Sequence, residues 1–312
     1  MKVLVTGVGG QLGHDVMNEL AARGYEGIGS DVAPRYSGIA DGTAVTSMPY
    51  VQMDITDRDQ VEAVVTQAGP DAVVHCAAWT AVDLAEDDDK AELVKRVNVD
   101  GTRNIALACR KLDCKMVYLS TDYVFDGLGT EPWKPDCKDY SPINVYGRTK
   151  LDGELAVAEN LEKYFIVRIA WVFGVNGKNF VRTMLELGRK TDHIRVVSDQ
   201  IGTPTYTFDL ARLLVDMIGT GKYGYYHATN EGGYISWYDF TKEIFRQAAE
   251  MGHEEYDSSR LCVTPVTTEE YGSKAKRPFN SRLDKSKLIE NGFAPLPSWQ
   301  DALGRYLREI DF

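Results

Sequence analysis

Two stretches of the chain hold side chains that could do chemistry together. Tyr146 and Lys150 stand four residues apart in Tyr146-Gly147-Arg148-Thr149-Lys150, and Thr121 lies upstream in Ser120-Thr121-Asp122-Tyr123-Val124-Phe125-Asp126-Gly127. On a helix, a tyrosine and a lysine at this spacing share a face, about 5–6 Å apart. The ammonium then reaches the surroundings of the phenol. A free phenol ionises near about pH 10, so proton exchange near neutrality needs its anion stabilised by about 4 kcal/mol. A cation in a partly dry site can supply that. Thr121 can donate a hydrogen bond to the same oxygen that Tyr146 would protonate. A second Tyr-x-x-x-Lys spacing, Tyr238 with Lys242, follows Ser236 and reads as an ordinary capped helix start.

The elements around these residues must bring them to one place. Lys115-Met116-Val117-Tyr118-Leu119-Ser120 is a short apolar run of strand formers, which puts Thr121 at a strand's carboxyl end, where α/β sheets place ligands. Ser141-Pro142 reads as a helix cap followed by proline in the first turn, and Leu151, Leu155 and Ala158 supply a helical apolar stripe.

Bulk properties narrow the functional classes. With 312 residues, 44% apolar and 26% charged, the chain has ordinary globular composition and enough length for one large or two modest domains. A net charge of −11 argues against a nucleic-acid partner, which requires a clustered basic face. An anionic small molecule remains compatible if a few basic residues gather locally. Five cysteines, an odd number without Cys-x-x-Cys, fit reduced thiols in a cytoplasm, and Cys76 and Cys262 lie in apolar runs that suggest core positions. The histidines are scattered, so no metal site is indicated. Structure is expected from Met1 onward without a leader peptide, and no apolar run approaches the roughly 18 residues of a membrane span, so a cytoplasmic location without membrane contact is expected.

In chain order, Val3 to Thr6 reads as a strand, then Gly7-Val8-Gly9-Gly10-Gln11-Leu12-Gly13 opens a helix with Leu12, Val16 and Leu20 on one face. Strand, glycine turn and uncapped helix start make a cradle for a pyrophosphate. Tyr25 to Ser30 is the second strand and ends in Asp31, 18 residues beyond Gly13, where an acid suits the ribose hydroxyls of NAD; Arg35 could instead meet the extra phosphate of NADP. Residues 32–48 lack periodicity and form a longer loop than a minimal βαβ unit needs. Tyr50 to Met53 resumes a strand, and Asp54-Ile55 closes it beside an adenine position, although Asp54 serves equally well as a turn residue. Asp57 with Gln60 looks like a capping box. Asp71 to Ala78 is a fourth strand ending in small residues that let a cofactor pass. The acidic run 86–89 reads as a solvated helix start. The long helix after it carries Leu93, Val97, Ile105 and Ala108, with Asn98 either an anchor near the site or a surface amide. Tyr164 to Ile169 is a sixth strand, after which Trp171 sits at a carboxyl end, placed for substrate or for core. Helices are expected from about 178, 206, 236 and 298, with short strands near Ile194 and Tyr225.

This alternation predicts an α/β fold, a doubly wound parallel sheet of Rossmann-like type with a smaller C-terminal substrate domain. The expected division is 1–172 for the dinucleotide domain, with about 198–226 returning to it, and about 173–197 plus 227–312 for the substrate domain.

The chain resembles the extended short-chain dehydrogenase/reductases, and within them the dTDP-4-dehydrorhamnose reductase family. The resemblance spans nearly the whole length. It rests on Gly7 to Gly13, Ala77-Ala78-Trp79-Thr80-Ala81-Val82-Asp83, Asn98-Val99-Asp100-Gly101-Thr102, Ser120 to Gly127, Tyr146 to Lys150 with Leu151-Asp152-Gly153-Glu154, Trp171-Val172-Phe173-Gly174, Asp199-Gln200-Ile201-Gly202-Thr203-Pro204-Thr205 and Arg277-Pro278-Phe279-Asn280-Ser281. It implies reduction of the 4-keto group of a nucleotide-activated 6-deoxy sugar by NADH or NADPH. By that resemblance Thr121 polarises the ketone, Tyr146 protonates its oxygen, and Lys150 holds the cofactor ribose while lowering the phenol's pKa. Gly7, Gly10, Gln11, Leu12, Gly13, Asp31, Asp54, Ile55, Ala77 and Ala78 join Lys150 as cofactor contacts. Tyr123 and Trp171 flank the sugar, and Asn179 and Arg277 meet the nucleotide diphosphate. A homodimer is a compatible assembly, and some relatives hold magnesium at a dimer contact, which nothing in this sequence indicates.

Sugar-nucleotide dehydratases follow the threonine with an Asp-Glu pair, because eliminating water needs its own acid and base. Here Asp122 is followed by Tyr123, which argues against dehydration. A nucleotide-sugar 4-epimerase and a non-catalytic dinucleotide-binding regulatory subunit, of the kind that partners methionine adenosyltransferase, are the alternatives. The 32–48 loop departs from the family pattern and leaves the choice of NADH or NADPH open.

Overall fold

Strands buried on both faces read as near-continuous apolar runs, and the sequence supplies several. In the computed structural model, which describes residues 1–312, β1 (Lys2–Thr6), β2 (Glu26–Asp31), β3 (Tyr50–Gln52), β4 (Ala72–His75), β5 (Lys115–Thr121) and β6 (Tyr164–Ile169) join a seventh strand, Gly224–His227. The order across the sheet is seventh, β6, β5, β4, β1, β2, β3. Every pairing is parallel. Strand order reverses between β1 and β4, and such switch points open a crevice at the carboxyl ends.

Helices α1 (Gln11–Ala22), α2 (Arg58–Ala68), α3 (Ala91–Lys95), α4 (Thr102–Leu112), α5 (Val145–Asn160), α6 (Phe180–Gly188), α7 (Thr207–Ile218) and α8 (Trp237–Glu250) cover the sheet or build a second body. Successive strand side chains point to opposite faces. Val3 and Val5 therefore pack with Leu12, Val16 and Leu20 of α1 and Leu210 and Leu214 of α7. Leu4, between them, packs on the other side with Val61, Val65, Ile105 and Val157. A second core gathers Phe173, Val181 and Leu185 with Phe240, Ile244, Trp299, Leu303 and Tyr306. No helix is long and apolar enough to cross a membrane.

Four local expectations are corrected. Helix α5 begins at Val145 and not at Ser141-Pro142, because Asn144 is its cap: its side chain accepts from the Gly147 N–H at 2.7 Å while its amide donates to the Lys276 carbonyl at 2.8 Å. The long helix after the acidic run starts at Ala91 and passes through a π-helical segment, Arg96–Gly101, before α4. Asp57 caps α2 by accepting from the Gln60 N–H, but the Gln60 side chain turns to the Asp54 N–H, so the box is only half formed. Cys76 is half-buried and Cys262 is exposed, the latter lying on a strand of a small two-stranded sheet.

Glu154 and Arg168 are both fully buried, and they bind each other through Nε–Oε1 at 2.8 Å and Nη2–Oε2 at 2.7 Å. Arg168 also donates to the Pro135 carbonyl and the Tyr140 hydroxyl, each at 3.1 Å. Removing one member of such a pair strands the other charge, at a cost of about 3–5 kcal/mol, whereas replacing both by apolar groups costs less. Urea unfolding of Glu154→Leu should show a loss of that size, and Glu154→Leu combined with Arg168→Met should lose less than the two single losses added. Simple additivity would mean that the ion pair does not couple α5 to β6.

Candidate active site

The switch point opens into a cleft of about 830 Å³ along the carboxyl ends of the strands. Its floor at one end is the glycine turn. Gly7 has φ +71°, and a Cβ on Gly13 would sit 2.3 Å from the Gly7 carbonyl oxygen, so only glycine lets α1 start this close to β1. Gly10 caps α1 in extended conformation with no side-chain hydrogen bond, which leaves the first helical amides facing the cleft. Asp31 lies above the turn, accepting from the Gly9 N–H at 3.0 Å and the Val32 N–H at 2.8 Å.

The extra loop folds across this same end. Asn176 donates to the carbonyls of Gly9 at 3.1 Å and Gly10 at 3.2 Å and accepts from the Ile39 N–H at 3.1 Å. His14 in α1 bridges Asp15 at 3.0 Å and Asp41 at 2.9 Å, and these two carboxylates raise its pKa against the lowering effect of burial. Further along the cleft, Ile55, Thr56, Leu93, Arg96 and Val97 line a flat apolar recess with a basic rim. Asp54 borders it, but one carboxylate oxygen accepts from the Thr56 N–H and hydroxyl at 2.9 and 2.8 Å, making it a turn residue as well as a wall.

Thr121, Tyr146 and Lys150 meet at the centre of the cleft. Thr121 ends β5, next to β6 in the sheet, and α5 carries the other two on adjacent turns. Burial pushes the Lys150 ammonium down to about 7, with Glu154 opposing that effect. Its Nζ stands 4.2 Å over the Tyr118 ring. Burial raises the Tyr146 phenol above its ordinary value and Asp122 raises it further, whereas Thr121 lowers it. The expected lowering of the phenol by Lys150 is not present in this arrangement, because the ammonium faces Tyr118, Glu154 and Cys76. Tyr123 meets Tyr146 edge to face, ring centroids 5.5 Å apart.

The far wall is aromatic. Trp171 lies flat on Trp237 at 3.7 Å and 16°, and Trp237 in turn touches Phe180 at 4.4 Å. The Trp237 indole donates to Gln200 at 3.2 Å. Trp171 has φ +52°, an unusual conformation for a bulky residue.

Thus Gly7, Gly10, Gln11, Leu12, Gly13, Asp31, Asp54, Ile55, Ala77, Ala78, Tyr123 and Trp171 all border one cleft with Thr121, Tyr146 and Lys150. Asn179 and Arg277 do not. Asn179 caps α6, and its amide nitrogen donates to Gln11 at 3.1 Å and Gly174 at 2.9 Å while its carbonyl oxygen accepts from the Tyr306 hydroxyl at 3.3 Å. Arg277 is paired with Asp83 at 2.6 Å. Sequence reasoning missed Asn176, Lys178, Arg96 and Trp237; the Asn176-Gly177-Lys178 turn was a legible signal, whereas Trp237 looked like part of an ordinary capped helix. Asn98 proves to be an internal brace, accepting from the Trp79 N–H at 2.8 Å and donating to the Thr149 hydroxyl at 3.1 Å.

The cleft suits a dinucleotide on structural grounds. Ser30 and Ser120 border it with buried hydroxyls that have no partner in the protein, and the helix that follows the glycine turn starts without a side-chain cap on its amides. Fold and cleft together define a dinucleotide-binding α/β protein of the extended type.

The chain belongs to the family described as RmlD substrate binding domain, whose model matches residues 1–312. It is 40% identical over 306 residues to a dTDP-4-dehydrorhamnose reductase of Streptomyces griseus, covering 96% of this chain and 91% of the relative. It is 38% identical over 309 residues to the spore coat polysaccharide biosynthesis protein SpsK of Bacillus subtilis, covering 99% and 97%. A crystal structure of dTDP-4-dehydrorhamnose reductase from Bacillus anthracis in complex with NADP superposes with a TM-score of 0.86 at 39% identity, covering 99% of each chain.

The close approach of Gly13 to Gly7 gives a direct test. Gly13→Ala should destabilise the fold by about 1–3 kcal/mol through overpacking and weaken NADH and NADPH binding together, read by urea unfolding and fluorescence titration. Unchanged binding would place the diphosphate elsewhere.

Proposed function

We propose that this chain reduces the 4-keto group of a nucleotide-activated 6-deoxy sugar, using NADH or NADPH. The observation that carries the proposal is the convergence of Thr121, Tyr146 and Lys150 on the cleft that begins at the glycine turn. Bound NADH or NADPH supplies hydride to the carbonyl carbon. The protein's own part is to hold the ketone, give it a proton and exclude water.

In this reading Tyr146 donates its proton to the carbonyl oxygen, so that hydride and proton together make the alcohol. A phenol kept neutral by burial is a competent donor and does not ionise before the substrate arrives. Thr121 donates a hydrogen bond to the same oxygen. Lys150, buried and poised near neutrality, holds the cofactor ribose. Gly7, Gly10, Gln11, Leu12 and Gly13 cradle the diphosphate, Asp31 takes the adenosine ribose, and Asp54, Ile55, Ala77 and Ala78 border the rest. Tyr123 and Trp171 flank the sugar. Trp237 extends that wall from the second core, which we assign to substrate binding, about 173–197 and 227–312 in sequence. Arg277 stays at the margin as the partner of Asp83.

Asp122 without a following glutamate leaves no acid–base couple for dehydration. Mixing the protein with NADH or NADPH and a 4-keto-6-deoxy sugar nucleotide should oxidise the cofactor, followed by its absorbance. No oxidation with either cofactor would favour the non-catalytic binding alternative. Tyr146→Phe should lower kcat by about 10²–10⁴ while the cofactor Kd stays within about threefold. Turnover near the parent value would move the proton donor to another group.

A further inference from the structure

Asp122 is 1% exposed and borders the cleft beside Thr121. One of its oxygens, Oδ2, has no hydrogen-bond partner within 3.5 Å, although the Ser281 hydroxyl approaches the carboxyl, and no cation is paired with the side chain. The other, Oδ1, lies 3.0 Å from the Thr121 hydroxyl. That hydroxyl also accepts from the Tyr123 N–H at 3.3 Å.

A threonine hydroxyl has one hydrogen to donate and can accept two. An ionised carboxylate accepts only, so with Asp122 charged the hydrogen in the 3.0 Å contact must be Thr121's own. None is then left for a ketone. With Asp122 protonated on Oδ1 the contact reverses: the carboxylic acid donates to Thr121, which accepts from Asp122 and Tyr123 and turns its own hydrogen towards the cleft. With that hydrogen on the substrate oxygen, or on the Tyr146 hydroxyl when the cleft is empty, every position on the Thr121 hydroxyl is filled. We propose that Asp122 is a positioning residue that works as a neutral carboxylic acid, orienting the Thr121 hydroxyl to donate to the substrate carbonyl. No proton changes owner in this role.

The surroundings favour the neutral form. Burial raises the Asp122 carboxyl to about 6, with Ser281 from the C-terminal segment and Thr121 opposing the rise. The titratable groups facing it are Tyr146 from α5 and Tyr123 from its own turn, both phenols raised by burial and by Asp122 itself. Substrate entry removes water and favours the uncharged acid further.

The inference rests on the reduction proposed above, and the experiment separates the two. If the protonated form is active, kcat/KM falls as pH rises through the Asp122 ionisation, by about tenfold or more between about pH 5.5 and 7.5, with the limb for kcat displaced to higher pH. Asp122→Asn should remove the part of the alkaline limb that belongs to Asp122 and leave the Lys150 contribution, because an amide offers Thr121 an N–H at every pH. Thr121→Ala should lower the rate and also remove that part of the limb, since Asp122 acts through that hydroxyl. NADH and NADPH affinity, titrated by fluorescence over the same range, should follow one common pH course in all three proteins, because Lys150 titrates alike in each. An alkaline limb unchanged in Asp122→Asn, or unchanged in Thr121→Ala, overturns the role; so does a parent enzyme active without any such limb. A parent protein inactive at every pH refutes the reductase reading instead.

Discussion

The buried pair between Glu154 and Arg168 fixes the geometry on which everything at the centre of the cleft depends. Glu154 stands one turn below Lys150 on α5, and Lys150 one turn below Tyr146, so three polar side chains share one helical face. Arg168 reaches Glu154 from β6, the strand hydrogen-bonded to β5, and β5 ends in Thr121. With the Asn98–Thr149 bond and the Tyr118 hydroxyl on the Lys150 carbonyl, this pair sets the helix at one height on the sheet. The distance from Thr121 to the phenol follows from where two charges meet inside the protein, because unpaired charges there are far less favourable than a satisfied fork.

Burial acts differently on neighbouring groups. It pushes Lys150 down, Tyr146 up and Asp122 up, and each shift favours the uncharged form. The centre of the cleft therefore draws its ionisable groups towards their uncharged forms. A lysine that makes a phenol acidic, the expectation from spacing alone, assumes a cation aimed at the hydroxyl; here the ammonium lies over the Tyr118 ring, with Glu154 close enough to matter electrically.

Much of the architecture was legible in the chain itself. The parallel sheet showed in six apolar runs, each followed by small or polar residues, and the glycine turn announced itself by position, directly after the first strand. The start of α5 was not legible, since Ser141-Pro142 is a strong local cap pattern and Asn144 wins only through its tertiary bond to the Lys276 carbonyl. Asn179 and Arg277 were expected at the diphosphate on the strength of resemblance, yet the first spends its amide hydrogens on Gln11 and Gly174 and the second its charge on Asp83. Trp237 escaped notice for the opposite reason: helix-start signals around it were complete, and nothing local says which face of the first turn meets Trp171. The 32–48 loop has no periodicity to read, and its anchors, Asn176 and His14, come from distant parts of the chain.

The left-handed backbone at Trp171 marks the exit of the chain from the main sheet into the second core, whose first member is Phe173. Such a conformation costs about 1–3 kcal/mol and survives only where the surroundings over-determine it. They do so here: the Thr205 N–H binds the Trp171 carbonyl at 3.1 Å, the Thr205 hydroxyl binds the Ala170 carbonyl at 2.6 Å, and Trp237 covers the indole. Thr205 and Trp237 thus hold the junction from its backbone and its side chain. Trp171 is therefore held in one place, and the indole presents the same flat face to the cleft at the point where the chain leaves the main sheet.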